Sequence, residues 1–213
     1  MRLSPARFNA MLGTMGQAAL WRRASLCPCR DPYSGQPRPD CPHCEGRGIA
    51  WGTGVAATTG LAGMRVVRQF ADFGRWMAGD VVLTVPSNSP LWDARENDRV
   101  LLSQSSEPYT AVMERDGDER VRGQVYALDS CWWLNPSGAV VQGAIPAIAA
   151  DGKLSWADPA QAPEPGTQFS LSGRRRPEYF IFTELPQDRA HFGGLPLPRR
   201  IQARKFDLFG KSS

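Results

Sequence analysis

"DVVLTVPSNSPLWDARENDRVLLSQ", residues 80–104, decides the fold class of this chain. The runs DVVLTVP (80–86) and DRVLLSQ (98–104) are rich in β-branched and other apolar residues, and the turn formers SNSP follow the first run. Residues of this kind favour a pleated, half-buried backbone. The stretch therefore predicts two short strands that are separated by a polar turn.

The same pattern continues on both sides of this stretch. Further runs predict strands, namely MRVVRQF (64–70), YTAVMER (109–115), VRGQVYALDSCWWL (121–134), KLSW (153–156), TQFSLS (167–172), EYFIFTEL (178–185) and RRIQARKFDLF (199–209). Short strands at regular spacing are typical of an all-β domain. We expect a β-barrel or a sandwich of short antiparallel strands over residues 64–213. The Gly/Ala/Thr-rich GTGVAATTGLAG (52–63) that precedes them predicts a loop.

The N-terminal residues predict a helix over positions 4–21. Ser4 suits the N-cap and Pro5 the first helical position. Apolar side chains recur at steps of three and four, at Phe8, Met11, Leu12, Met15 and Ala19. We therefore expect a helical arm over residues 1–23.

Four of the five cysteines lie within residues 24–52, on a stretch too polar to form a core. Cys27, Cys29, Cys41 and Cys44 follow the spacing C-x-C-x11-C-x2-C. Two cysteine pairs across a loop are the usual layout of a structural zinc site, in which the ion supplies the cohesion of the segment. The spacing predicts a zinc-binding loop with structural Zn²⁺.

Other interpretations of this loop stay open. His43 can replace one thiolate, and the cysteines can instead form disulfides or stay free thiols. A catalytic zinc would need a nearby acid or base, for which Glu45 is the close candidate. The string CPHCEGRG (41–48) resembles a half-site of the zinc-binding region of bacterial J-domain chaperones, but it occurs once here.

The remaining composition favours a binding or structural role over an enzyme. No nucleophile elbow, phosphate-binding loop or dinucleotide fingerprint is present, and the acids Asp116, Asp118 and Glu119 lie in a polar turn that predicts a solvated hairpin tip. Cys131 lies in an apolar run that predicts a buried free thiol, and Trp132, Trp133 and Trp156 are predicted core residues.

The sequence shows neither a signal peptide nor an apolar run long enough to cross a membrane. We therefore expect a protein of the cytoplasm. The net charge is +4, and the excess is carried by arginine, a residue suited to interfaces and phosphate contacts.

The second half resembles the neck proteins of tailed bacteriophages, the head–tail connector or head-closure class. The residues that carry the resemblance are Gly152, Trp156, Pro163, Gly166, Phe169, Arg176, Pro177, Tyr179, Leu197, Pro198 and Arg199. Phe169 and Leu171 stand where Tyr and Val are more usual, and Gly173 stands where the family pattern has a second Tyr.

The resemblance implies a structural virion protein that forms a homo-oligomeric ring between portal or adaptor and tail. Such a ring closes the DNA-filled head and provides the docking surface of the tail, after assembly in the host cytoplasm. Subunits of such rings exchange arms or loops. The arginines Arg174, Arg175, Arg176, Arg199, Arg200 and Arg204 are then candidates for contacts with neighbouring subunits or with DNA in the channel.

Two other functions stay in competition with the neck protein. One is a zinc-containing phage protein that binds nucleic acid through the zinc loop and the arginines. The other is a zinc-dependent hydrolase that uses Glu45.

Overall fold

A computed structural model of the chain describes residues 4–62, 76–185 and 190–209, and these residues are mainly β. The helix α1 (Pro5–Met15) begins the chain. The strands that follow it, in chain order, are β1 (Gln17–Arg22), β2 (Ala24–Leu26), β3 (Ile49–Trp51), β4 (Val55–Leu61), β5 (Val81–Val85), β6 (Arg99–Leu102), β7 (Glu107–Glu114), β8 (Gln124–Leu134), β9 (Val140–Gln142), β10 (Ala147–Ile148), β11 (Leu154–Ser155), β12 (Gln168–Arg176), β13 (Glu178–Glu184), β14 (His191–Phe192), β15 (Leu195–Pro196) and β16 (Arg199–Lys205). Short 3₁₀ turns cover Pro90–Asp93, Pro159–Gln161 and Phe206–Leu208.

Six strands close into a barrel in the order β1-β4-β5-β16-β13-β6. Every neighbouring pair in this ring is antiparallel, and β6 closes it by pairing with both β13 and β1. Closure leaves none of the six strands with an unpaired edge. The structure thus confirms the predicted mainly β fold with an N-terminal helix, and of the two architectures expected it has the barrel.

The interior of the barrel is filled by alternate side chains of these strands. The two strands of the opening stretch contribute Leu83, Val85, Val100 and Leu102, all at most 1% exposed. Burial of one such aliphatic side chain stabilises the fold by about 1.5–3 kcal/mol. The core-facing residues of each strand thus alternate, as the period of two of a β-strand requires.

The chain divides into two compact units. Residues up to Gln104 and from Glu178 onward form the first unit, which holds the barrel, and Ser105–Pro177 form the second. The second unit contains the four-stranded sheet β7-β12-β8-β9 and the hairpin β10-β11. This division differs from the expected one. Residues of the predicted β domain over 64–213 belong to both units, and the barrel also contains strands β1 and β4, which precede residue 64.

The core of the second unit lies on one face of its sheet. Cys131, Phe169 and Leu171 are buried there, and the Trp156 ring meets the Phe169 ring edge to face with centroids 5.6 Å apart. The predicted buried thiol at Cys131 is thus confirmed, and burial raises its pKa to about 11. Trp132 was predicted to lie in the core, but it is 39% exposed because it points to the opposite face from its neighbours along β8.

Two predictions for the N-terminal third are wrong. The helix predicted over residues 4–21 ends at Met15, and residues 17–22 form barrel strand β1 because pairing with β4 and β6 overrides their helical period. The loop predicted over residues 52–63 contains strand β4, whose small residues allow α1 to pack closely, with Leu12 against Gly60. The predicted strand at 64–70 lies outside the described residues.

Candidate metal centre

Within the first unit, a short two-stranded ribbon connects the barrel to the cysteine loop. Strand β2 pairs with β3 in the register Ala24–Trp51, Ser25–Ala50 and Leu26–Ile49. Residues 27–48 between them contain no further strand and are built from turns. The ribbon therefore holds the two ends of the loop together, and the cysteines lie immediately beyond it.

The four sulfurs converge on one point. The Sγ atoms of Cys27, Cys29, Cys41 and Cys44 all lie within 4.8 Å of one another. Cys27 Sγ is 3.9 Å from Cys41 Sγ, and Cys29 Sγ is 3.5 Å from Cys44 Sγ. A tetrahedral ion with metal–sulfur bonds of about 2.3 Å places its ligands about 3.8 Å apart. The observed spacing therefore fits a four-thiolate metal centre, as the cysteine pattern predicts.

The sulfur–sulfur distances also show that the four cysteines do not form two disulfides. A disulfide joins its sulfurs at about 2.05 Å, whereas all four cysteines are free thiols in the structure. Cys27, Cys41 and Cys44 are buried and Cys29 is partly buried. Four thiols packed against each other in this way can all ionise only if a cation neutralises them.

Without such a cation, the thiols of Cys41 and Cys29 differ in pKa. Backbone N–H groups of Cys44 and His43 stabilise the Cys41 thiolate and lower its pKa to about 6. A backbone hydrogen bond from Arg38 lowers the pKa of Cys29, but burial and the neighbouring thiols raise it to about 12. One cysteine is thus ready to bind a metal while another gives up its proton only in exchange for the ion.

Tight turns bring the second cysteine pair into position. Glu45, Gly46 and Gly48 have φ values of 51°, 77° and 71°, in the left-handed region that favours glycine. The turn directs the Gly48 N–H toward Cys44 Sγ at 3.3 Å, a hydrogen bond that stabilises a thiolate. The absence of a Cβ at Gly46 and Gly48 therefore permits the turn that carries Cys44.

Neither His43, the alternative ligand, nor Glu45, the candidate acid or base, belongs to the cluster. His43 is exposed, and the Glu45 carboxylate accepts an ion pair from Arg47 at 3.0 Å. Among residues 4–62, 76–185 and 190–209, the four cysteines are the one group of three or more metal-ligating side chains found close together. The site can therefore hold a metal ion through sulfur alone, and it has no vacant ligand position for a substrate.

A buried aspartate connects the cysteine loop to the barrel. Asp98 is 1% exposed, and its carboxylate accepts hydrogen bonds from Trp21 Nε1 at 2.8 Å, the Ala24 N–H at 2.7 Å and the Arg95 N–H at 3.0 Å. Trp21 belongs to barrel strand β1 and Ala24 to ribbon strand β2. One carboxylate thus holds the start of the ribbon against the barrel.

An aromatic cluster packs against the other strand of the ribbon. Trp51 meets the rings of Phe206 and Phe209 edge to face at 5.2 and 5.3 Å, and its Nε1 donates to the carbonyl of Asn97 at 2.9 Å. The Arg99 guanidinium lies 3.9 Å from the Phe206 ring centre. The C-terminal 3₁₀ turn therefore contributes to the support of the loop, which nothing in the local sequence indicates.

The three predicted contact arginines of β16 lie in the barrel, at positions 199, 200 and 204. Arg199 forms a two-pronged ion pair with Glu184, at 3.0 Å and 2.8 Å. Arg204 lies 3.2 Å from each carboxylate oxygen of Asp80 and 3.9 Å from the ring centre of Phe182. Both guanidinium groups are thus neutralised within the subunit.

The other three predicted arginines lie on β12 in the second unit. Arg175 donates to Glu107 at 2.8 Å. Arg176 donates to the Ser105 carbonyl at 3.2 Å and covers the ring of Tyr126 at 4.3 Å. Arg174 is exposed, and its side chain has no hydrogen bond or ion pair to the described part of the chain. It is therefore the most accessible positive charge of the run.

Two comparisons of the sequence with known proteins identify no relative. No protein-family model matches the sequence, and the search of curated proteins returns no match. None of the helices in residues 4–62, 76–185 and 190–209 has the length and hydrophobicity needed to cross a lipid bilayer. The function is therefore inferred from three features of the chain. These are a closed barrel, a cysteine loop that fits a metal ion, and a second β unit whose sequence is inserted between β6 and β13.

Proposed function

We propose that this protein is a structural subunit of the neck of a tailed bacteriophage. It forms a ring between portal or adaptor and tail, closes the filled head and offers the tail its docking surface. The observation that carries the proposal is a closed six-stranded barrel whose chain is interrupted by two separate β elements, the cysteine loop between β2 and β3 and the 105–177 unit between β6 and β13. A cysteine loop with little apolar core of its own is suited to serve as a contact element in an assembly.

Five of the residues that carry the resemblance to neck proteins support this proposal by their positions. Gly152 and Gly166 occupy turns with φ of 84° and 78°. Trp156 and Phe169 pack on each other in the core of the second unit. Tyr179 is buried in the barrel just after the chain returns from that unit. These five residues thus form turns or pack in a core, as expected of a sequence pattern that specifies a fold.

We infer that the ion in the cysteine loop is structural zinc. Four thiolates in a closed tetrahedral set favour Zn²⁺ over hard cations, which prefer oxygen ligands. The ion replaces the hydrophobic core that residues 24–52 lack. The zinc content of purified protein, measured by elemental mass spectrometry, is expected to be one per chain. Iron, or no metal in protein prepared without chelators, would contradict the assignment.

The arginine contacts count against DNA binding as the main role. Non-specific DNA affinity depends on the number of positive charges free to replace counterions. Arg175, Arg199 and Arg204 have acidic partners within their own units. A zinc-containing nucleic-acid-binding protein would need most of these charges unpaired.

The test is the state of assembly of the purified protein. Light scattering and negative-stain electron microscopy are expected to show closed rings, alone or after mixing with the portal or tail ring proteins of the same phage. A monomer that ignores those rings, and binds DNA with an affinity that falls steeply between 50 and 200 mM salt, would overturn the proposal in favour of the nucleic-acid-binding function.

A charge reversal tests the arginines directly. We expect the double variant Arg174→Glu, Arg176→Glu to lose ring assembly while its thermal unfolding stays close to that of the wild type. Lys153→Glu, which changes a positive charge elsewhere in the same unit, serves as the matched control. Rings of normal size and affinity from the double variant would contradict an interface role for this end of β12.

A further inference from the structure

The outer face of the sheet in the second unit exposes a row of apolar side chains. Val112, Trp132, Leu134 and Val140 are 70%, 39%, 59% and 66% exposed, on the face opposite the Cys131 core. Together they expose on the order of 400 Å², a patch size that on soluble proteins often marks an interaction site. This outer face is therefore a candidate interaction surface.

The register of the strands gives the face a groove. Ser170 on the central strand β12 lies opposite Val112 on β7 and opposite Trp132 on β8. One step further along, Leu134 on β8 lies opposite Val140 on β9, so these two side chains continue the apolar row beyond the furrow. The short serine side chain leaves a furrow between β7 and β8, two strands that lie about 10 Å apart, two strand spacings. Side chains of a helix that lies on this face can enter the furrow.

Helix α1 has an exposed flank that carries matching groups. Arg7, Met11 and Met15 follow one another at steps of four residues and therefore lie along one side. Met11 is 47% and Met15 is 79% exposed, whereas Leu12 on the packed side is buried. Methionine side chains adapt their shape to irregular apolar surfaces. This flank has the length and chemistry of a helix that docks in a groove.

We propose that the α1 flank of one copy of this chain docks on the outer sheet face of the next copy. The inference rests on the ring proposed above and names the surfaces that join its subunits. Met11 enters the furrow between Val112 and Trp132, and Met15 lies against Leu134 and Val140 beside it. The contact is heterologous, because two different surfaces of the chain meet, and repeated heterologous contacts generate a ring when the rotation closes.

The spacing of the two surfaces agrees over their length. Four residues along a helix advance about 6 Å, and two residues along a strand advance about 6.6 Å. With both methionines seated, Arg7 therefore lies one further step along, at Ser130, next to Asp129. Asp129 is exposed and has no hydrogen bond or ion pair from its side chain to the described residues, and the same holds for Arg7. The docked arrangement brings these two opposite charges together.

Two single variants test the contact by light scattering on the full chain. Met15→Asp and Trp132→Asp each place a charge in the proposed interface, and each is expected to weaken subunit association at least ~30-fold, as loss of a hot-spot side chain does. Leu195→Asp changes a residue that is 57% exposed in the β14-β15 hairpin, and as control it should assemble normally. Circular dichroism and thermal unfolding of each variant check that it is folded.

Mixing the variants gives a result that only a heterologous contact produces. Each variant keeps one intact surface, so an equimolar mixture of Met15→Asp and Trp132→Asp is expected to form one-to-one dimers, although neither does so alone. The pair Arg7→Asp and Asp129→Arg, combined in one chain, should regain much of the association that either change loses.

The outcomes separate this inference from the function on which it rests. If the wild type is monomeric alone and with portal or tail rings, the proposed function fails and the inference fails with it. If the wild type forms rings and both aspartate variants still assemble like the control, only the inference is overturned. It is also overturned if the mixture stays monomeric, or if Trp132→Asp loses salt-sensitive DNA binding while its assembly is unchanged.

Discussion

Removal of the Asp98 carboxylate is expected to be among the most damaging single changes in the barrel. Its two oxygens accept three hydrogen bonds at 2.7–3.0 Å while the residue is 1% exposed. A hydrogen bond to a charged group contributes about 1.5–3 kcal/mol, and a buried donor left without a partner costs about 1–3 kcal/mol. Because three linked bonds do not add fully, we expect Asp98→Ala to lower the free energy of unfolding by about 3–5 kcal/mol.

The assay is urea denaturation followed by circular dichroism, with the Trp21→Phe variant completing a double-mutant cycle. Trp21→Phe removes the indole donor but keeps an aromatic ring, so the coupling with Asp98→Ala should be about 1.5–3 kcal/mol. Asp31→Ala is the matched control. Asp31 also accepts three hydrogen bonds, from Tyr33 and Ser34, but is exposed.

A small effect would refute this reasoning. If Asp98→Ala costs less than about 1 kcal/mol, or no more than Asp31→Ala, the carboxylate does not hold the ribbon to the barrel. Zero coupling with Trp21→Phe would show that the indole hydrogen bond contributes nothing. Hydrogen exchange of residues 24–51 gives a second readout, because loss of the Ala24 bond should increase exchange in the ribbon first.

Three further changes probe the loop and the second unit. Cys41→Ser should release zinc, measured by elemental mass spectrometry, and raise hydrogen exchange over residues 24–51 while the barrel stays protected; unfolding of the barrel would contradict the separation of loop and barrel. Gly173→Ala should destabilise the second unit by about 1–3 kcal/mol in urea denaturation, because an added Cβ clashes with the backbone of β8; an unchanged midpoint would contradict this. Burial raises the pKa of Glu119, but hydrogen bonds from the Asp116 N–H and Trp156 hold it below its ordinary value of 4.5 overall. Its contribution to stability is therefore complete above the unfolded-state pKa and is lost as the pH falls below about 4.5; Glu119→Gln should flatten the pH dependence of thermal unfolding, and a curve that keeps its wild-type slope would exclude this origin.

Local sequence predicts the strands that form from β-branched apolar runs and the four cysteines that lie together. Val81–Val85 and Arg99–Leu102 follow from β-branched runs, and the cysteine spacing predicts which four side chains meet. Residues 17–22 read equally well as the end of a helix, since Ala19 continues its apolar face. Their pairing with β4 and β6 is nonlocal, and tertiary pairing overrides such weak preferences.

The supports of the metal site could not be predicted because their partners are distant in sequence. Asp98 follows a turn, where an acid is usually solvated, and its indole donor is 77 residues away.

Two residues of the second unit differ from what their local sequence predicts. The polar turn predicts a solvated hairpin tip for Glu119, but Glu119 accepts a hydrogen bond from Trp156 Nε1 at 3.1 Å and is largely buried. Trp132 shows the opposite error, because an exposed aromatic residue on a sheet face has the same local pattern as a buried one.

The insertion of the second unit has a consequence for how such a protein changes over generations. The chain leaves the barrel after β6 and returns at β13, and these two strands pair directly, with Leu101 opposite Glu178. A recombination event that exchanges residues 105–177 for another sequence therefore leaves the hydrogen-bonded closure of the barrel intact. Lineages can replace this unit as a whole while the barrel is inherited unchanged.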